Sequence, residues 1–160
     1  LEQWGFTYVP PLPGFELCVE NLARVPVVAA ALGPCAGLGA ALESQARKSP
    51  VPVDVEVDGI GRYPQEAEAA VYFSCLEALQ NIAKYAEATA ATIRLSQANG
   101  TLSFEVTDDG LGFDPDTAER GTGLQGIADR LAALGGEFVL RTAPGQGTTI
   151  LGSVPVGVEP

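Results

Sequence analysis

Glu77, Asn81 and Lys84 place a carboxylate, an amide and an ammonium within eight residues. On a helix advancing about 100° per residue they fall on one side with Ala70 and Ser74, and Tyr85 stands at the margin. Such a row can hold a hard cation, move a proton or meet an anion. It can equally be a solvated helix face, since charged and amide residues outside a core are usual.

A second group, Asp108-Asp109-Gly110-Leu111-Gly112-Phe113, directly follows a strand-like stretch. Its glycines let the backbone turn sharply and approach a ligand, and an aspartate at a strand end can accept a hydrogen bond from an exocyclic amine such as that of adenine. An acidic surface turn fits the same residues. A calcium loop built from Asp108, Asp109, Asp114 and Asp116 fits poorly, because the regular ligand spacing and the closing bidentate Glu are missing.

The third group, Gly121-Thr122-Gly123-Leu124-Gln125-Gly126, matches G-x-G-x-x-G. A dinucleotide-binding turn should follow a strand directly, but Asp114 to Arg120 is polar loop, and no acidic residue ends a parallel strand about 20 positions on. The remaining readings are a helix N-terminus whose N–H groups face an anion, or a purely structural helix start.

The elements that must position these groups follow from periodicity. Residues 1–33 form a lead-in: Trp4, Phe6 and Tyr8 alternate like a short strand, and Pro10, Pro11 and Pro13 interrupt it. Gly33-Pro34 opens a helix to about Lys48, stopped by Ser49-Pro50. Val51, Val53, Val55 and Val57 alternate with polar residues and Pro52, predicting a half-buried strand near a sheet edge. Pro64 starts the longest helix, which runs to about Ala86 with Val71, Cys75, Leu79, Ile82 and Ala86 as its core side.

Ile93 and Leu95, then Leu102, Phe104 and Val106, predict a hairpin around Asn99-Gly100. Thr122 and Gln125 read as a capping box for a helix with Leu124, Ile127, Ala128 and Leu131 inward, ended by Gly135-Gly136. Residues 137–142 and 148–156 make a second hairpin. The sum is an α+β fold, a two-layer sandwich of helices on one face of a mixed, mostly antiparallel sheet, over residues 34–160.

Composition sets the outer bounds. The 160 residues suffice for one core, and the longest strongly apolar run, Val25 to Leu32, is far short of the roughly 20 needed to span a bilayer. A net charge of -11 opposes nucleic acid and anionic membranes, although local N–H groups and one metal ion can still hold a nucleotide phosphate. Cys18, Cys35 and Cys75 read as reduced thiols of a cytoplasmic domain. The absence of His removes Ser-His-Asp, Cys-His and zinc-hydrolase chemistry. With Leu1 first and no Met, the sequence reads as a fragment of something longer.

Taken in order, Glu77-Ala78-Leu79-Gln80-Asn81-Ile82-Ala83-Lys84-Tyr85-Ala86, then 108–113, then Gly121 to Ile127, then Gly145-Gln146-Gly147-Thr148 resemble the ATP-binding catalytic domain of bacterial sensor histidine kinases. These are the N, G1 and G2 boxes and the C-terminal glycine-threonine segment of the superfamily shared with gyrase and mismatch-repair ATPases. The likeness covers about residues 36–156. The short lid and Gly126-Ile127-Ala128-Asp129-Arg130-Leu131 look most like the class that includes nitrate and membrane-fluidity sensors.

The resemblance implies the fold already deduced, with ATP and Mg2+ as cofactors. Asn81 would hold Mg2+, Glu77 would act as the catalytic group that orients or deprotonates, and Lys84 and Tyr85 would stand near phosphate. Asp108 would receive the adenine amine with Gly110, Gly112 and Thr148 around the base. Gly121, Thr122, Gly123, Leu124 and Gly126 would close the lid. Tyr85 replaces the family's usual His and cannot carry a proton near neutral pH. The implied partners are the dimerisation and phosphoacceptor helical domain of a parent kinase and, indirectly, a response regulator, since a chain without His cannot autophosphorylate alone. A nucleotide-binding regulatory module without transferase activity and an ATP-independent interaction domain are the alternatives.

Overall fold

The computed structural model describes residues 37–116 and 122–157, and the expectations for the lead-in 1–33, for Cys18 and Cys35, and for Gly121 lie outside them. Alternating apolar side chains give five strands: β1 (Val53–Asp58), β2 (Ala91–Ala98), β3 (Thr101–Asp108), β4 (Glu137–Thr142) and β5 (Thr148–Pro155). Between them run α1 (residues 37–47), α2 (Gln65–Asn81), a π turn (Ile82–Ala86) and α3 (Thr122–Ala132).

Asn99 and Gly100 both take positive φ, 54° and 74°, the primed-turn geometry that matches strand twist. This turn sets β2 against β3 in register, Ala91 opposite Asp108 and Ala98 opposite Thr101. The sheet order is β1-β2-β3-β5-β4, with β1 parallel to β2 and every other pair antiparallel. The predicted edge position of β1 holds. Its alternation lapses at Val57, which is exposed while Val51, Val53 and Val55 are partly buried.

Leu102, Phe104 and Val106 of β3 point inward with Ile93 and Leu95 of β2, Ile150 and Val154 of β5, and Leu38 and Leu42 of α1. Each such side chain removed from water contributes about 1.5–3 kcal/mol before entropy is counted. At the end of α3, Gly136 N–H reaches Leu131 O at 2.8 Å and Gly135 N–H reaches Ala132 O at 3.0 Å, the paired bonds that close a helix on a left-handed glycine.

Three expectations are corrected. The long helix is α-helical only to Asn81, and residues 82–86 form a wider π turn. Ala70 and Ser74, assigned to the outward side, are buried, because α2 packs on α3 as well as on the sheet. Ser74 Oγ satisfies itself by donating to Ala70 O at 2.6 Å. The Gln125 side chain does not turn back as a capping box requires: its amide donates to Asp129 one turn ahead, at 2.8 Å.

Candidate functional site

One end of the sheet carries a polar row on the helix-covered face. Asp108 of β3 lies opposite Thr148 of β5, and Thr148 lies opposite Thr142 of β4. Asp108 continues the inward phase of Leu102, Phe104 and Val106, so it is only 6% exposed. Burial pushes its carboxyl above the ordinary range, while N–H donation from Gly110, at 2.8 Å, and from Thr148 pulls it back in part. Among the described residues, the groups acting on it are these N–H donors and the Asp109 charge.

Asp109, one residue on, has left the strand's inward phase and is exposed. Its carboxylate accepts from Thr89 N at 2.8 Å, from Ala90 N at 3.1 Å and from the Thr89 hydroxyl. Those donors, the hydroxyl first, hold its pKa below the usual carboxylate value. The two neighbouring acids therefore separate into a buried carboxylate held by backbone N–H groups and an exposed tie that fixes the segment before β2.

The helix side of the site hangs on main-chain bonds. Leu111 N donates to Ala86 O at 2.7 Å and Leu111 O accepts from Gly145 N at 2.6 Å, joining the π turn, the Asp108 loop and the β4–β5 turn. The same approach leaves no room at Gly110, where a β-carbon would overlap Ala86 O, nor at Gly112, where it would overlap Ala143 O. Both glycines are thus required by backbone packing, independently of any ligand.

Glu77 and Asn81 sit one turn apart on α2, both half-buried. Lys84 and Tyr85 are exposed, Tyr85 to 73%, and the π turn breaks the 100° progression that aligned Lys84 with Asn81. Across from α2, the Glu77 carboxylate packs directly on Gly123 in the first turn of α3, where a β-carbon would overlap Oε1. Thr122 and Leu124 belong to the same turn, Leu124 packing partly against the core, and Gly126 faces open space.

Sequence reasoning passed over Thr142, Leu111 and Thr89. Thr142 Oγ1 accepts from Phe113 N at 3.1 Å, donates to Gly147 O at 3.1 Å and lies 3.0 Å from Thr148 Oγ1. The hairpin between 137–142 and 148–156 already implied that Thr142 faces Thr148, so its signal was cross-strand pairing. Leu111 acts through its backbone and Thr89 through a partner twenty residues away, and neither leaves a local pattern.

Residues 66–157 match the family described as histidine kinase-, DNA gyrase B- and HSP90-like ATPases. The chain belongs to this family. It is 36% identical over 109 residues to the signal transduction histidine-protein kinase/phosphatase DegS of Brevibacillus brevis. That match takes in 67% of this chain and 28% of DegS, so the chain spans little more than a quarter of the curated relative's length. Among solved structures, the blue-light-activated histidine kinase of Erythrobacter litoralis superposes with a TM-score of 0.69 at 23% identity, over 88% of this chain and 48% of that one. Full-length ShkA, solved with AMPPNP, gives a TM-score of 0.61 at 19% identity, over 89% of this chain and 35% of that one. The α+β fold expected from periodicity is the histidine kinase ATPase-domain fold. Among the described residues no helix is long and apolar enough to cross a membrane.

Proposed function

We propose that this ATPase-family domain binds Mg-ATP and supplies the γ-phosphate for phosphorylating a histidine on a helical domain of its parent kinase. The observation that carries the reading is Asp108: a carboxylate buried at a strand end, held by two N–H donors and, among the described residues, paired with no cation, keeps acceptor capacity for an amine-bearing base. Around it, Thr148, Gly110 and Gly112 would frame the adenine. Thr122, Gly123, Leu124 and Gly126, with Gly121, would lie over the phosphates at the start of α3, where unpaired N–H groups favour an anion. The nucleotide analogue named with ShkA is consistent with this assignment.

The donor set fits Mg2+. The ion takes hard oxygens and keeps several waters and phosphate oxygens as ligands. Glu77 and Asn81, one turn apart, offer a carboxylate and an amide oxygen, and among the described residues no cluster of three His, Cys, Asp or Glu competes as a full cage. Asn81 would hold the ion, which when bound would neutralise charge on the phosphates. Glu77 would orient or deprotonate the attacking group, and exposed Lys84 and Tyr85 would approach phosphate from the solvent side. Transfer forms a phosphorus–nitrogen bond to the acceptor imidazole as the bond to ADP breaks, so the domain's part is positioning and charge stabilisation. The domain would work on the cytoplasmic side, with a response regulator taking the phosphoryl group later.

Tyr85, in place of the usual His and highly exposed, favours one second reading, a nucleotide-binding regulatory module without transferase activity. Calorimetry with Mg-ATP and Mg-ADP tests both. No heat and no competition at millimolar nucleotide would eliminate them together. If nucleotide binds, labelled ATP added with the parent's helical domain separates them: label on its histidine supports transfer, and its absence leaves the regulatory module.

A further inference from the structure

The hydroxyl contacts of Thr142 fix the direction of a hydrogen bond in the base pocket. Thr142 has a single hydroxyl proton. The Gly147 carbonyl, 3.1 Å away, can only accept, so the proton goes there. The Phe113 N–H can only donate, and it takes one Thr142 lone pair at 3.1 Å. The remaining 3.0 Å contact must then be made by the proton of Thr148, donated to Thr142. Gly147 is buried, which keeps its carbonyl dependent on this hydroxyl.

With its proton committed, Thr148 turns only lone pairs toward the pocket. Its register partner there is Asp108, itself an acceptor whose own N–H donors are backbone groups. Among the described residues, the Asp108 and Thr148 side chains beneath the proposed base therefore present acceptors and no free donor. We propose that Thr142 is a positioning residue that sets base specificity: by taking the Thr148 proton it makes the pocket select a purine with a 6-amino group and reject one with a 6-oxo group. An unmatched carbonyl facing two acceptors is penalised more heavily than a missing contact.

This inference rests on the nucleotide-binding reading, and the experiment keeps the two apart. Affinities of the 160-residue chain are measured by calorimetry, with Mg2+ present, for ATP, for ITP and for purine riboside triphosphate, which carries hydrogen at position 6. The expected order is ATP tightest, the 6-unsubstituted purine next and ITP weakest. ITP binding as tightly as the unsubstituted purine overturns the proposal, because a free Thr148 proton would have turned to its carbonyl. Failure of ATP itself to bind overturns the nucleotide reading instead. Thr142→Val should lower the ATP-to-ITP affinity ratio about tenfold, and Thr142→Ser should restore it. A merely structural role would weaken both nucleotides alike and leave the ratio unchanged. If Thr142→Val does not fold, Thr142→Ala is read by the same ATP-to-ITP ratio, and an unchanged ratio overturns the proposal.

Discussion

The Glu77 carboxylate packs against Gly123 so closely that no β-carbon fits between them, which couples the acid of α2 to the first turn of α3. Gly126, three residues further along the same helix, has nothing within 4 Å of where its β-carbon would stand. The two glycines of one motif thus have opposite steric requirements.

Gly126→Ala is expected to stabilise the domain by about 0.5–1 kcal/mol, the usual gain in a helix interior. Gly123→Ala should keep the fold, since a carboxylate can swing aside, but it should displace Glu77 and cut phosphoryl transfer more than nucleotide affinity. Thermal unfolding, calorimetry and a transfer assay on the parent's helical domain check both. Equal effects of the two substitutions would refute the coupling.

Asp108→Asn should weaken Mg-ATP binding about 100-fold, because an amide nitrogen would meet N–H donors where an acceptor is needed. Stability near neutral pH should stay within about 1 kcal/mol of wild type or rise. The sign follows from burial: a carboxyl with a raised folded-state pKa favours folding in its protonated form, and that contribution is lost as pH rises through the folded value. The uncharged amide avoids this loss. Nucleotide affinity should fall on acidification from a higher pH than an unperturbed carboxylate gives, and chemical denaturation with calorimetry across pH reads both effects.

Asp109 behaves in the reverse sense. Its pKa is depressed by Thr89 and Ala90, so its stabilisation is present above the ordinary carboxylate range and lost only as pH falls through the lowered folded value. Asp109→Ala should lower the melting temperature at neutral pH, and the gap from wild type should close in strong acid. A gap independent of pH would show that the tie to Thr89 is not electrostatic.

Arg62 meets Glu68, only 2% exposed, through Nε at 2.9 Å and Nη2 at 3.2 Å, and Tyr63 N–H donates to the same carboxylate at 3.0 Å. Arg62→Ala leaves that acid in the N-terminal half of α2 without its cation. The expected loss is about 2 kcal/mol, below the cost of breaking a fully buried pair because Arg62 is half exposed. Urea unfolding measures it, and a loss under about 0.5 kcal/mol, typical of a surface pair, contradicts the assignment.

Much of this was legible where the signal is local. The alternation of Leu102, Phe104 and Val106 gave β3 and placed the Asp108-Asp109 pair at its end, but the separation of a buried Asp108 from an exposed Asp109 came only with the strand's observed burial. Asn99-Gly100 gave the hairpin that holds the register. What stayed hidden depends on distant partners. The helical wheel could not know that Leu111 would bond Ala86 O at the end of a π turn, nor that a second packing surface on α3 would bury Ala70 and Ser74. Gly110 reads as ligand space from its motif, yet the atom that fills the space is a carbonyl of the chain itself.

Leu111 joins three elements by its own N–H and C=O while its side chain stands 53% exposed. The joint is therefore indifferent to side-chain identity and vulnerable only to loss of the N–H. A saturation library at this position should tolerate polar, charged and aromatic residues alike and be emptied at proline alone. A site with its hinge pin in the main chain can drift freely in the letters written there, so variability at 111 is no sign that the position is idle.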